Sequence, residues 1–416
     1  MNHIAVFNKS TTQNTVVNNL LKGKLFPEFK ERKGGVFSLS VIEKFIEEEQ
    51  KHDDFTLTNH KIDGNGNVRS LTSFSSGQQK QLLLAYLRKQ NYDFLVLDKP
   101  YDCLDIASQE DLEKELIKLS EEVIFIQLFK IRDEVLPFID EFYLVDEKEI
   151  LFSGSAKEYD IHFYTQLKPY VFEKNLPLVL NKIEVENPLV KFTDVNIFYE
   201  QTRQIVNNIN WTINKGEFWH LKGPNGSGKT SLLTMITGDN PKAFGEDIIL
   251  FGQKKGTGET VWELKKKIGY FSPNLIANFN KLFTVQHMVL SGFYDSIGLY
   301  EKPTGHEIYE ADKWLDLVGL KEKKQSYFVR LSPEMQRIIL IIRAMVKQPP
   351  LLILDEPTNE LDDYATSMLT AFINKIHQET DTAILYVSHR MLVGLHPDKV
   401  YELIPTEKGS VGKVVV

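Results

Sequence analysis

Residues 223–230 read Gly-Pro-Asn-Gly-Ser-Gly-Lys-Thr, set between a segment expected to be a strand (Glu217–Leu221) and a segment of helical character opening at Lys229. A turn that wraps a polyanion closely needs glycines, which let successive backbone N–H groups converge on phosphate oxygens. A helix starting directly after the turn adds favourable partial charge. Gly223, Pro224, Asn225, Gly226, Ser227, Gly228, Lys229, Thr230 and Ser231 therefore form a candidate phosphate cradle. In this pattern the lysine reaches the β- and γ-phosphates of a nucleotide and the hydroxyl of Thr230 ligates magnesium. A chance Gly-rich turn would not need the lysine and threonine at the helix start.

A second set of chemical groups lies further on. The apolar run Leu351-Leu352-Ile353-Leu354 ends in Asp355 and Glu356. One carboxylate there can hold magnesium, and its neighbour can polarise an attacking water. Alone, such a pair reads as a solvated strand end; with a phosphate cradle upstream it reads as a reaction centre. His389 follows another apolar run, Ala383–Val387. A lone histidine is usually structural. In a parallel sheet, however, the C-terminal strand ends share the ligand-binding edge, so His389 would stand beside Glu356 and could hydrogen-bond a γ-phosphate. Finally, Ser75-Ser76-Gly77-Gln78 opens a helical segment: a small anion nest, or an ordinary helix cap.

The elements that must position these groups occur twice. Phe94-Leu95-Val96-Leu97-Asp98-Lys99-Pro100 precedes Leu104-Asp105, as Leu351–Asp355-Glu356-Pro357 precedes Leu361-Asp362. Each apolar run is too continuous for a half-exposed strand and reads as a buried parallel one. Each follows a helical segment, Gln78–Arg88 or Glu334–Val346. Two copies of one unit imply a tandem duplication. In the first copy Ile4–Phe7 takes the place of the strand before the cradle, Asn8–Thr15 that of the turn, and Val16–Leu21 begins the helix. The hairpin expected over Leu189–Ile213 has no counterpart there. Residues 160–187 read as a connector, partly packed through Phe163, Tyr164, Tyr170 and Phe172.

Composition narrows the class. With 42% hydrophobic and 25% charged residues the chain is globular. A net charge of −8 argues against broad binding to nucleic acid or anionic membranes, and the run Lys265–Lys267 reads as a solvated helix face. The single cysteine, Cys103, excludes an internal disulfide and fits a reducing compartment. No run approaches the roughly 20 apolar residues of a membrane helix, and the first ten residues do not read as a signal peptide. A soluble, cytoplasmic protein is expected, with any membrane pore supplied by another chain.

Together these motifs resemble the ATP-binding cassette (ABC) superfamily across most of the chain. GPNGSGKT looks like its Walker A motif, LLILDE like Walker B with the catalytic glutamate Glu356, residues 359–362 like the D-loop, and His389 like the switch histidine. Tyr199 looks like the aromatic that stacks on adenine. The resemblance implies an α/β P-loop NTPase with two ABC nucleotide-binding domains in tandem, each with a mixed or parallel sheet core and a helical subdomain. Residues 1–159 would be a degenerate cassette, 160–187 the connector, and 188–416 a competent cassette. It also implies ATP and Mg2+ as cofactors, Thr230 and Asp355 as metal ligands, and membrane permease subunits as partners. Leu290–Tyr300, read as a helical segment, is similar to a tandem subgroup described as molybdate-transport-type ATP-binding proteins.

Departures from the family pattern are sorted between the halves. The family's signature, Leu-Ser-Gly-Gly-Gln, survives nearly intact as Phe74–Gln78, so the resemblance places Ser75, Ser76, Gly77 and Gln78 at an ATP. In the second half Glu334 stands where a phosphate-facing glycine belongs. In the first half Asn14 replaces the lysine, Lys99 the catalytic glutamate, and Phe129 is expected at the histidine position. In the family, Walker A of one cassette faces the signature of the other. The losses then fall on one composite site and spare the other, and at the spoiled site Lys99 and Glu334 are expected to meet. The usual glutamine after Ile268–Phe271 is missing; Ser272-Pro273-Asn274 stands there, with Asn274 as a substitute contact. The functional expectation is an ATP hydrolase serving a molybdate-type or other anion transport system. The alternative is a ribosome-associated translation factor like the ABC-F group, favoured by residues 358–362 but lacking that group's long charged linker. A non-hydrolysing regulatory module is disfavoured by the intact Glu356 and His389.

Overall fold

The computed structural model describes residues 2–9, 13–51, 70–102, 104, 106–146, 148–163, 170–177, 183–199, 203–258, 260–359, 361–389 and 391–415, without the side chains of 13, 14, 106, 107, 203, 277 and 278. Cys103, Asp105, Tyr164, part of the first-half turn and the Asn14 side chain lie outside the described residues. The chain divides into two compact units, Met1–Lys168 and Pro169–Val416.

The first unit contains β1 (Ile4–Asn8), β2 (Gly34–Phe37), β3 (Phe94–Asp98), β4 (Ile124–Phe129), β5 (Glu141–Asp146) and β6 (Glu149–Ser155). They form one sheet in the order β2-β3-β4-β1-β5-β6. All neighbours are parallel except β5 and β6. The second unit contains β7 (Val190–Tyr199), β8 (Arg203–Ile213), β9 (Phe218–Lys222), β10 (Asp247–Leu250), β11 (Gln253–Lys254), β12 (Ile268–Phe271), β13 (Leu351–Asp355), β14 (Ala383–Ser388), β15 (Lys399–Ile404) and β16 (Val411–Val415). Six of these repeat the first topology as β12-β13-β14-β9-β15-β16, and the other four make an antiparallel sheet, β11-β10-β7-β8. Strands β3 and β13 are buried on both faces up to their terminal Asp, which accounts for their uninterrupted apolar runs.

Each main sheet is covered on both faces. In the second unit, helices Val285–Leu290, Gly305–Leu317, Pro333–Met345 and Asp363–Glu379 pack one face around Trp314, Phe328 and Phe372. The antiparallel sheet and helices Lys229–Thr237 and Val261–Lys267 cover the other, around Trp211, Leu232 and Leu264. Phe172 is buried in the first of these cores and Tyr170 packs on it, so residues expected to be connector belong to the second unit. Phe163 ends a helix, Ala156–Phe163, that packs on the first unit's core.

Register fixes which residues correspond between the units. Asp98 pairs with Leu128 as Asp355 pairs with Val387, and Val6 pairs with Leu128 as Leu221 pairs with Val387. Counting on from there, Phe129 corresponds to Ser388, and Lys130 to His389. The expectation that Phe129 holds the histidine position is therefore corrected by one residue. Lys99 and Glu356 correspond and share an uncommon backbone, with φ of 51° and 47°. The turn after each is held by a cation from the helix carrying the signature or its counterpart. Arg337 Nη1 donates to Pro357 O at 2.7 Å. Lys80, fully buried, donates to Pro100 O at 2.7 Å and Asp102 O at 2.6 Å. Lys80→Met would leave these carbonyls without that donor, at roughly 1–3 kcal/mol for each buried group left unsatisfied. A thermal scan should show the variant melting several degrees below wild type; an unchanged midpoint would remove Lys80 from this role.

Leu290–Tyr300 differs from its expected form. The helix ends at Leu290 and the chain continues in turns. Helix Pro333–Met345 packs closely on these turns: a Cβ on Gly292 would lie 2.1 Å from Arg343 O, so only glycine fits there. Arg343 Nε also donates to Ser291 Oγ at 2.9 Å, and Lys347 pairs with Asp295, whose φ is 51°.

Candidate functional site

The cradle of residues 223–230 lies between β9 and helix Lys229–Thr237. Gly226 and Gly228 have φ of 77° and 98°, a region that L side chains rarely adopt. A Cβ on Gly228 would also sit 2.4 Å from Val206 Cγ1 on β8. The helix then opens at Lys229 and closes on Gly238, a left-handed C-cap. The Lys229 ammonium donates to Gly223 O at 2.6 Å and Pro224 O at 3.0 Å, which holds it against the loop. Ser227 Oγ is buried with no hydrogen-bond partner among the described residues. Asn225, Gly226 and Thr230 are exposed, and Ser231 is half-buried.

β9 pairs with β14 and β14 with β13, all parallel, so Lys222, Ser388 and Asp355 end on one edge. Glu356 and His389 follow directly: Glu356 Oε1 lies 3.5 Å from His389 Nδ1. The Glu356 N–H donates to Val387 O at 2.9 Å, fixing the turn after the strand. The structure thus brings together Asp355, Glu356, His389 and the cradle. Burial pushes the Asp355 carboxyl up to about 6, aided by the adjacent Glu356, while Tyr270 and Lys229 oppose the shift. A desolvated carboxylate beside a second one, with the Thr230 hydroxyl at the cradle, is a hard-oxygen donor set of the kind magnesium takes. The residues fit that ion.

Tyr199 ends β7 more than half exposed, with the Lys242 ammonium 4.3 Å from its ring centre. Ser75, Ser76, Gly77 and Gln78 belong to the first unit. There Ser75 caps helix Ser76–Lys89, and Ser75 N donates to Gln78 Oε1 at 3.2 Å while Gln78 N donates to Ser75 Oγ at 3.4 Å. The local reading as a helix cap is realised. Asn274 is exposed at the turn before a short helix, Leu275–Asn278, and Ser272 is buried.

Two residues near the centre escaped the sequence reading. Tyr270 OH donates to Asp355 Oδ2 at 3.3 Å, and burial raises the Tyr270 pKa. Arg337 supports the turn beyond Glu356. Both are polar groups in otherwise apolar segments beside the Asp-ending strand, and only β12–β13 register or the helix's approach shows where they point.

Over 331 residues the chain is 34% identical to the ABC transporter ATP-binding protein ModF of Escherichia coli (strain K12), across 77% of this chain and 67% of that protein. The chain belongs to the ABC family. The family profile described as ABC transporter matches residues 206–359, which include the cradle, Asp355 and Glu356. An uncharacterized ABC transporter ATP-binding protein of Schizosaccharomyces pombe is 31% identical across 77% of this chain and 66% of its own length. The chain spans about two thirds of both relatives. The solved structure titled RNase-L Inhibitor superposes with a TM-score of 0.62 at 17% identity, covering 99% of this chain and 85% of that one, a likeness of fold alone. The protein is thus an ABC-type ATPase of P-loop NTPase fold. Among the described residues no helix is long and apolar enough to cross a membrane.

Proposed function

We propose that the chain hydrolyses ATP at one composite site, made of the cradle, Asp355, Glu356 and His389 of the second unit and Ser75–Gln78 of the first. The observation that carries this reading is how the losses are sorted. Asn14 for Lys229, Lys99 for Glu356 and Lys130 for His389 all fall in the unit that keeps Gly77. Glu334 in place of that glycine falls in the unit that keeps the chemistry. Independent decay would have spoiled both sites. Lys99 lies 3.6 Å from Asp102 within its own unit, and its meeting with Glu334 remains part of this proposal.

In this mechanism the cradle N–H groups and Lys229 hold the β- and γ-phosphates, and Tyr199 takes the adenine. Thr230 and Asp355 would hold Mg2+, which neutralises phosphate charge when bound. Glu356 accepts a proton from the attacking water, and His389 donates to a γ-phosphate oxygen. ATP draws the units together and hydrolysis releases them, and a partner uses the motion. By the resemblance of Leu290–Tyr300, that partner is a permease of a molybdate-type or other anion transport system, at the inner face of a membrane. The second reading is ribosome-associated, on residues 358–362. Identification of chains that co-purify with the native protein separates them: permease subunits favour the first and ribosomal proteins the second.

Gly77→Asp tests the composite site. A carboxylate brought against the γ-phosphate in a partly desolvated cleft is strongly repelled. Turnover should be lost while the second unit still binds ATP. Gly77→Ala is the steric control, since it adds the same Cβ, 3.1 Å from Ser108 Oγ, without the charge. Wild-type turnover in Gly77→Asp would show that the two units do not share a site.

A further inference from the structure

The strand that leads into the cradle carries an unusual residue for its place. His220 is in the middle of β9, wholly buried. Its neighbours Trp219 and Leu221 are apolar core, and the other central positions of the sheet are almost all aliphatic or aromatic. Burying an imidazole sacrifices its hydration unless a partner is supplied. Here the partner is specific: His220 Nε2 lies 2.9 Å from Ser388 Oγ, the residue before His389, and Ser388 is itself buried. The His220 ring also meets the edge of Tyr386, with centroids 5.4 Å apart. The Tyr386 hydroxyl lies 3.2 Å from Thr358 Oγ1, two residues beyond Glu356. All four side chains are at most 3% exposed. One histidine thus touches the strand end that carries His389 and, through Tyr386, the turn that carries Glu356.

The duplicated unit supplies a comparison within the same molecule. By register, Ala5 corresponds to His220, Gln127 to Tyr386 and Phe129 to Ser388. Tyr101 follows Pro100 as Thr358 follows Pro357. None of these forms the same tie. Gln127 instead bonds Glu134 O at 2.7 Å and Leu136 N at 2.9 Å, and Tyr101 OH turns to Glu113 at 3.3 Å. Ala5 and Phe129 carry no side-chain donor at all. The fold alone therefore does not require the buried polar tie. It is present where Lys229, Glu356 and His389 are present, and absent where all three are replaced.

We propose that His220 is a positioning residue for ATP hydrolysis: through Ser388 and Tyr386 it fixes His389 and the Glu356 turn relative to the cradle at the end of its own strand. This rests on the roles given to Glu356 and His389 above. Burial pushes the His220 pKa down to about 4, so near neutral pH the ring is uncharged and the tie is a hydrogen bond between neutral groups. Reacting groups displaced by about 1 Å can lose on the order of a hundredfold in rate, so a lost tie should act on turnover more than on binding.

The test compares His220→Leu, His220→Gln and Ser388→Ala with wild type in ATP turnover, equilibrium ATP binding and thermal melting. His220→Leu should lower kcat on the order of tenfold or more, with the ATP Kd little changed. His220→Gln, which can present an amide nitrogen near the place of Nε2, should recover most of that loss. Ser388→Ala, a smaller change, gives the same reading if the leucine variant does not fold. In a His389→Ala background, adding His220→Leu should cost much less than it does alone, because part of its effect runs through the missing imidazole. A folded His220→Leu or Ser388→Ala enzyme with wild-type kcat overturns the proposal, as do losses that simply multiply with that of His389→Ala. Full turnover in His389→Ala alone would instead overturn the role assigned to that histidine, which separates the two failures.

Discussion

Glu356→Gln should all but stop ATP turnover while leaving ATP bound. Glutamine has the size of glutamate and keeps the backbone contact from residue 356 to Val387 O, 2.9 Å in the wild type. The left-handed backbone at this position, φ 47°, recurs at the corresponding Lys99, φ 51°, so it does not depend on a carboxylate. What the substitution removes is the base. The carboxylate oxygen 3.5 Å from His389 Nδ1 becomes part of an amide, which takes no proton at neutral pH. General base catalysis contributes about 10²- to 10⁴-fold, and kcat should fall within that range. The ATP Kd should stay within a few-fold of wild type, since phosphate contacts come from the cradle. Phosphate-release kinetics and equilibrium binding measure the two quantities separately. Turnover near the wild-type rate would remove Glu356 from the role of base.

The second large effect is on binding. Lys229→Ala should weaken ATP binding, whereas Asn14→Ala should not, and a saturated chain should hold one ATP. A hydrogen bond to a charged group contributes about 1.5–3 kcal/mol, roughly 10- to 150-fold in affinity. The ammonium already rests on the cradle, against Gly223 O and Pro224 O. Asn14 has no charge to lose. Titration calorimetry gives affinity and stoichiometry together. Two ATP per chain would refute the assignment of a single nucleotide site, whatever the affinity.

Much of this is legible in the sequence itself. GPNGSGKT announces its geometry because glycines, lysine and threonine at that spacing suit a strand–turn–helix. The repeated runs ending in Asp98 and Asp355 disclosed two like sheets, since strands buried on both faces leave unbroken apolar stretches. What stayed hidden depends on register. Phe129 and Lys130 both suit the end of a strand, and only the pairing of Asp98 with Leu128 decides which stands for His389. His220 and Ser388 lie far apart in the sequence, and only the pairing of β9 with β14 brings them together. Lys80 lies in a helix rich in polar residues, and only the fold shows that it turns inward onto carbonyls about 20 residues away. The turns after Leu290 pack on Arg343, from a helix that no local pattern links to them.

The order of strands also bears on how the chain is made. β9 is the earliest strand of its six-stranded sheet, yet it ends up inside, bordered by β14 and β15. The bond that ties His220 to Ser388 joins residues 168 apart, and that from Phe218 N to Asp398 joins residues 180 apart. During synthesis on a ribosome, the phosphate cradle is therefore among the first parts of this unit to appear and among the last to be framed. Closing such long loops slows folding, and until β14 and β15 arrive both edges of β9 offer unpaired backbone groups to any passing strand. The interval between translating residue 222 and residue 404 is thus the period in which this unit most needs protection from aggregation.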